Sequence, residues 1–125
     1  MKGMRLLAIV SLALAMSGGA WAQQTTKPSD EAKERARLAT EYQKAKAAHA
    51  KNSRDKKAKS AYVEATVTYG NAVMMSPNLV PKDKYPQALK LFREALKVDP
   101  GHKRAKANKT MIEDIYKSMG RPIPG

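Results

Sequence analysis

The chain contains no cysteine. No disulfide can staple it, no thiolate can serve as nucleophile, and no cysteine-based zinc site can form. Acid is scarce, with 11 Asp and Glu against 24 Lys and Arg for a formal charge of +13. Aromatics make up only 6% of the residues, with a single Phe and a single Trp, so the few rings must be concentrated where packing needs them. The longest stretch of nearly unbroken apolar character, Leu6 to Met16 with only Ser11 polar, has eleven residues, well short of the ~20 that cross a bilayer as a helix. No glycine-rich phosphate loop, nucleophile elbow or zinc motif can be found. No strand is expected anywhere along the chain, where three- and four-residue spacings of apolar residues dominate.

What is present begins with a three-part leader. Lys2 and Arg5 supply a positive start, Leu6 to Met16 the apolar run, and Ala20-Trp21-Ala22 the small residues of a cleavage site. Residues 1–22 are therefore expected to be a cleavable signal peptide, cut before Gln23. An uncleaved anchor would need a longer run, and a lipid anchor would need a cysteine after it. The mature chain is expected to be exported, periplasmic or secreted, and at roughly 100 residues it is one small domain. Such a domain buries about 65% of its unfolded surface and, lacking disulfides, must rest on packing. Its surplus of positive charge favours anionic partners and speeds their encounter. Export disfavours nucleic acid as that partner and leaves acidic proteins, envelope polysaccharides and anionic lipid head groups.

Past the leader the pattern is helical throughout. Residues 23–29 form a polar, disordered lead-in, and Ser29 caps a helix over 30–51 with Asp30 and Glu31 in its first turn. Ala32, Ala36, Ala39, Tyr42, Ala45 and Ala48 form its narrow stripe. Ser53 is placed as the cap of a second helix, with Ala58, Ala61, Tyr62, Ala65, Tyr69, Ala72 and Val73 inward. Val63, Val67 and Met74 lie off that stripe, as a helix covered on more than one side requires. Leu79-Val80-Pro81 makes an extended link. Asp83 is placed as the third helix's N-cap with Pro86 in its first turn, and Tyr85, Ala88, Leu89, Phe92, Ala95 and Leu96 are buried until Asp99-Pro100-Gly101. The fourth helix runs from about His102 to Met119 with Ala105, Met111, Ile112, Ile115, Tyr116 and Met119 inward. Gly120 stops it in a left-handed conformation, and residues 121–125 are a proline-rich tail.

An up-down four-helix bundle is one all-α solution, but it calls for leucine at most inward positions. Here bulky and small residues alternate. Tyr69-Gly70-Asn71-Ala72-Val73, followed by Ala88, Phe92, Ala95 and Pro100 at spacings of four, three and five, resembles one repeat of the tetratricopeptide (TPR) family. The resemblance covers residues 60 to 100, with the stretch from Ser76 to Tyr85 about six residues longer than the family's turn. Helix one is similar to a preceding repeat's second helix, with Ala45 where an aromatic would stand, and helix four to a following repeat's first helix. The implied architecture over residues 30–120 is a short stack of about four helices, an α-solenoid fragment. Ala88 and Ala95 should approach Gly70 while Phe92 and Tyr85 fill the wedge between hairpins. Solenoids usually need about three units, so a homo-oligomer is a further expectation.

The resemblance implies a non-enzymatic interaction module whose first helices line a concave groove for a protein or peptide. It places Glu64, Val67, Asn71 and Met74 of helix two there, facing Ala107, Asn108, Met111 and Asp114 of helix four. Side-chain amides suit this task because each both donates and accepts, although asparagines occupy these family positions whatever the ligand. A second surface follows from helix direction: the turn with Lys51, Arg54, Lys56, Lys57 and Lys59 should lie on the same rim as the turn with Lys97, Lys103, Arg104 and Lys106. Such a rim would bind an acidic partner, an anionic envelope polymer or a membrane surface, with affinity falling as salt rises. The plain alternative for both surfaces is that their side chains are simply solvated.

Catalytic chemistry finds little footing in these residues. His49 and His102 are isolated and are expected to be solvated or capping. Glu113 and Asp114 are adjacent on a helix and point apart, which is unsuitable for shared acid–base work. Met74, Met75, Met111 and Met119 are expected to be core or groove filler, with copper capture by thioethers as the alternative. Neither a cofactor nor a metal is expected.

Overall fold

The computed structural model describes residues 28–125 as four helices: α1 (Asp30–Lys51), α2 (Lys56–Met74), α3 (Pro81–Val98) and α4 (Lys103–Ser118). No strand occurs among the described residues. The leader, its cleavage point and residues 23–27 of the lead-in lie outside them. Each helix packs on the next in chain order, and α2 also touches α4. Among the described residues α1 and α4 do not meet, whereas a closed four-helix bundle would make them neighbours. The molecule is an open stack with α2 at its centre.

Capping chemistry sets most of the boundaries. The Ala32 N–H donates to Ser29 Oγ at 3.1 Å, as expected. Asp55 rather than Ser53 caps α2, accepting from the Lys57 N–H at 3.0 Å. The Asp55 N–H donates back to the Asn52 carbonyl at 3.2 Å, so residues 52–55 form a turn that pushes the helix start two positions on. α3 begins a turn earlier than expected. Pro81 is its first residue and Val80, with no side-chain cap, precedes it; Asp83 sits within the first turn and Pro86 inside the helix. Proline's fixed φ suits the first helical position, and the link from α2 shrinks to six residues, 75–80. His102 caps α4 through Nδ1, 3.2 Å from the Ala105 nitrogen. Gly120 ends it at φ 66°, and Arg121 and Gly120 donate to the Tyr116 and Lys117 carbonyls at 3.0 Å each, the paired bonds of a Schellman stop.

The 75–80 link is tied to the start of α1. Buried Ser76 receives Arg35 at 3.1 Å, while Asn78 donates to Ser29 Oγ at 3.1 Å and to Glu31 at 2.8 Å. The Glu31 carboxyl is drawn down to about 2, first by its hydrogen bond from Arg35 and then by Asn78.

The core runs along the side of α2 that faces α3. Val63, Thr66, Val67, Gly70, Val73 and Met74 are buried there, against Ala88, Leu89, Leu91, Phe92 and Ala95 of α3. The alanines expected inward are shallower: Ala61 is exposed, and Ala58, Ala65 and Ala72 are half-buried. The Thr66 hydroxyl is satisfied by the Tyr62 carbonyl one turn back, at 2.7 Å. A Cβ built on Gly70 would stand 2.9 Å from Phe92 Cε1 and 3.3 Å from Leu91 Cβ. The glycine therefore admits the Phe92 ring, and its closest neighbours are Phe92 and Leu91 rather than Ala88. On α4 the buried residues are Ala105, Asn108, Ile112 and Tyr116, while Met111 and Met119, expected inward, are each 50% exposed. An end helix with a neighbour mainly on one side buries only a narrow stripe.

Glu94 joins three helices. Its carboxylate accepts from Tyr42 of α1 at 2.7 and 2.9 Å and from Tyr62 of α2, with Lys46 Nζ 3.7 Å away. The rings cluster around it, Tyr42 with Tyr69 at 5.6 Å between centroids and Tyr62 stacked on His49 at 5.2 Å. Burial first, and the Glu94 hydrogen bond second, push both phenols above their ordinary value of 10.0.

Two predictions follow from this packing. Gly70→Val should destabilise the fold by about 1–3 kcal/mol through overpacking. In a Phe92→Leu background the same change should destabilise it less, as chemical denaturation of the four proteins of the cycle would show. Because the folded state disfavours both phenolates, the stability they contribute is complete below pH 10 and is lost as pH rises through the raised values. Melting temperature should therefore fall from pH 10 upward, and Tyr62→Phe should flatten that fall in circular dichroism melts.

Candidate functional site

Two contacts show how α2 and α4 lie side by side. His102 Nε2 is 2.8 Å from Glu64 Oε1, and Asn108 Nδ2 donates to Asn71 Oδ1 at 3.4 Å. The paired residues are 38 and 37 apart, so moving one and a half to two turns along α2 moves about as far along α4. The two helices run in the same direction, with α3 packed on both.

The exposed face of this pair differs from the expected groove by small shifts of register. Val67 is fully buried and Met74 is 5% exposed; both face the core and neither can touch a partner. The residues that follow them take the outer positions, with Thr68 half-buried and Met75 65% exposed. Glu64, Thr68, Asn71 and Met75 are spaced four, three and four apart and so share one side of α2. On α4, Ala107, Met111 and Asp114 are exposed and Ile115 is half-buried; together they border an open depression of about 510 Å³. Asn71 is half-buried and Asn108 is 9% exposed at the seam. Their mutual hydrogen bond leaves the Asn71 amide hydrogens and Asn108 Oδ1 without a partner among the described residues, and neither group is sealed from solvent.

The cationic rim is present as a surface. All nine of its residues, Lys51, Arg54, Lys56, Lys57, Lys59, Lys97, Lys103, Arg104 and Lys106, are exposed. The two turns adjoin, because Lys56 and Lys59 line a single pocket of about 240 Å³ with Val98 and Asp99. None of the nine makes an ion pair among the described residues. The pairs that do form are Glu31–Arg35, Glu34–Arg37, Lys46–Glu94, Glu64–His102 and Lys109–Glu113.

Several other titratable groups have structural partners. His102 caps α4 and bridges to α2, whereas His49, expected to be solvated or capping, is half-buried against Tyr62 with its Nδ1 unpartnered. Glu113 pairs with Lys109 at 3.2 Å while Asp114 is exposed, so the two neighbours are held apart. Glu94, half-buried among tyrosines, was not singled out in the sequence. Its signal was weak: a lone acid on the buried side of a helix, four residues after Lys90 and three before Lys97.

No family model matches the chain, and no curated protein or solved structure matches it either. Among the described residues no helix is long and apolar enough to cross a membrane.

Val67 and three methionines offer a direct check of the register. Val67→Ala and Met74→Ala should each lower stability by about 1–4 kcal/mol through cavity formation. Met75→Ala and Met111→Ala should stay within about 0.5 kcal/mol of the parent, as urea unfolding would report.

Proposed function

We propose that the chain is an exported, non-enzymatic helical-repeat module, related to the tetratricopeptide family, that holds a segment of a partner protein against the exposed face of α2 and α4. The observation that carries this reading is the pair of parallel helices presenting Asn71 and Asn108 at a seam flanked by exposed Met75 and Met111. Amides with spare donor and acceptor capacity can bond a peptide backbone. Methionine adapts its shape to varied apolar side chains.

The family relationship has support in geometry as well as sequence. The offset of 37 to 38 residues between α2 and α4 is a few more than the 34 residues of a tetratricopeptide repeat, and the difference fits an insertion in the α2–α3 segment. Gly70 admits Phe92, a small-against-bulky contact between neighbouring helices, though with Phe92 where the pattern implied Ala88. The non-enzymatic part rests on the sequence, which offers no recognisable catalytic motif; Glu94, with two tyrosine donors at a three-helix junction, has a structural task.

The test is capture of proteins from an envelope extract by the immobilised mature chain at about 0.5 M salt, where surface charge attraction is largely screened. Specific capture should persist there and drop about tenfold in a Met75→Asp, Met111→Asp variant of unchanged helicity. Capture that this variant leaves intact would overturn the groove reading.

A further inference from the structure

The cationic edge has a second property besides its exposure. At the opposite edge the helices obey their own dipoles: α1 opens with Asp30 and Glu31, and α3 has Asp83 in its first turn. At the cationic edge α2 and α4 also open, yet neither has an acidic residue in its first turn. Lys56 and Lys57 stand there on α2, and Lys103 and Arg104 on α4. A helix N-terminus is the positive end of the dipole, so cations at that position act against local stability. Four cations thus sit where the fold itself would prefer acid, on two adjoining turns, and without ion pairs among the described residues. Of the two acids in these turns, Asp55 is engaged in capping α2.

We propose that this edge is a binding surface for an anionic polysaccharide, a polar chain carrying repeated carboxylate, sulfate or phosphate groups. The exposed cations of the two turns concentrate positive potential there, while the N-termini of α2 and α4 are offset by the C-termini of α1 and α3, which end at the same edge. The chemistry of the edge also distinguishes among polyanions. The exposed large apolar residues, Met75, Val80, Met111 and Met119, all lie outside the two turns, so nothing at this edge anchors it in acyl chains. No tyrosine, phenylalanine or tryptophan occurs in residues 51–59 or 97–106, so nucleic-acid bases find none of the large aromatic rings on which single strands stack. A glycan needs neither. The surface is separate from the α2–α4 face, and its test does not depend on that reading.

The experiment measures anisotropy of a labelled heparin fragment with the mature chain, its Lys56→Glu, Lys57→Glu, Lys103→Glu, Arg104→Glu variant, and a charge-matched control. The control carries Lys33→Glu, Lys44→Glu, Lys90→Glu and Lys117→Glu, all exposed and away from the edge. The edge variant should bind about tenfold more weakly at moderate salt, and the control less than about threefold. The edge variant should also melt at the same or a higher temperature, because its new acids complement the two helix dipoles; loss of binding then cannot be ascribed to unfolding. Equal weakening in both variants would reduce the effect to net charge and overturn the proposal, as would no weakening in either. Tighter binding to a single-stranded oligonucleotide of matched charge, or to phosphatidylglycerol vesicles, than to the heparin fragment would also overturn it.

Discussion

The close approach of α2 and α3 at Gly70 is the constraint on which the stack depends. Phe92 is fully buried, and its ring occupies the volume that any side chain on residue 70 would need. In a chain of this size without disulfides, one large side chain at the centre of the main interface carries a considerable share of the apolar burial. The glycine gives up helix propensity, of the order of 1 kcal/mol relative to alanine. The contact it permits outweighs that, because burying a phenylalanine is worth roughly 1.5–3 kcal/mol.

Around that contact, polar groups orient the outer helices. Glu94 reaches from α3 to Tyr62 on α2 and Tyr42 on α1, so a carboxylate and a phenol tie the edge helix α1, which has one buried residue of its own, to the rest of the stack. Ser76, Asn78 and Arg35 secure its other end. At the far side of the stack Arg93 of α3 donates to the Pro124 carbonyl at 2.8 Å and Ile123 packs onto the core, folding the proline-rich tail back over the helices. A small apolar core is thus flanked by directional contacts that fix helix order, a division suited to a short stack whose ends have no further repeat to lean on.

Much of this was legible in the residues. The extent of α1, its Ser29 cap, and the His102 start and Gly120 stop of α4 all follow from local rules whose energetics do not require neighbours, and the central place of α2 was legible in apolar residues on more than one of its sides. The misplacements share one cause. Asp55 in place of Ser53, and Pro81 in place of an Asp83 cap, are choices between two competent local starts, decided by which turn the chain can make while keeping the helices in contact. The family pattern assigns Val67 and Met74 to a groove, yet both lie in the core, while Met75 lies outside. A rotation of 100° per residue separates one face from the next, and two adjacent methionines carry no label of which is which. Met111 and Met119 were placed inward on an end helix that has too few neighbours to cover them.

The sequence by itself determined that the protein is helical, lacks thiol chemistry, carries a large positive charge and alternates small with bulky residues, because these depend on composition and on periods along one chain. Only the tertiary structure decided which methionine is exposed, that Glu94 binds two tyrosines from two other helices, and that two basic turns some 45 residues apart adjoin at Lys56, Lys59 and Asp99. Those facts arise from distances between segments, and a pattern read along a single helix contains its own faces but not the identity of what lies against them.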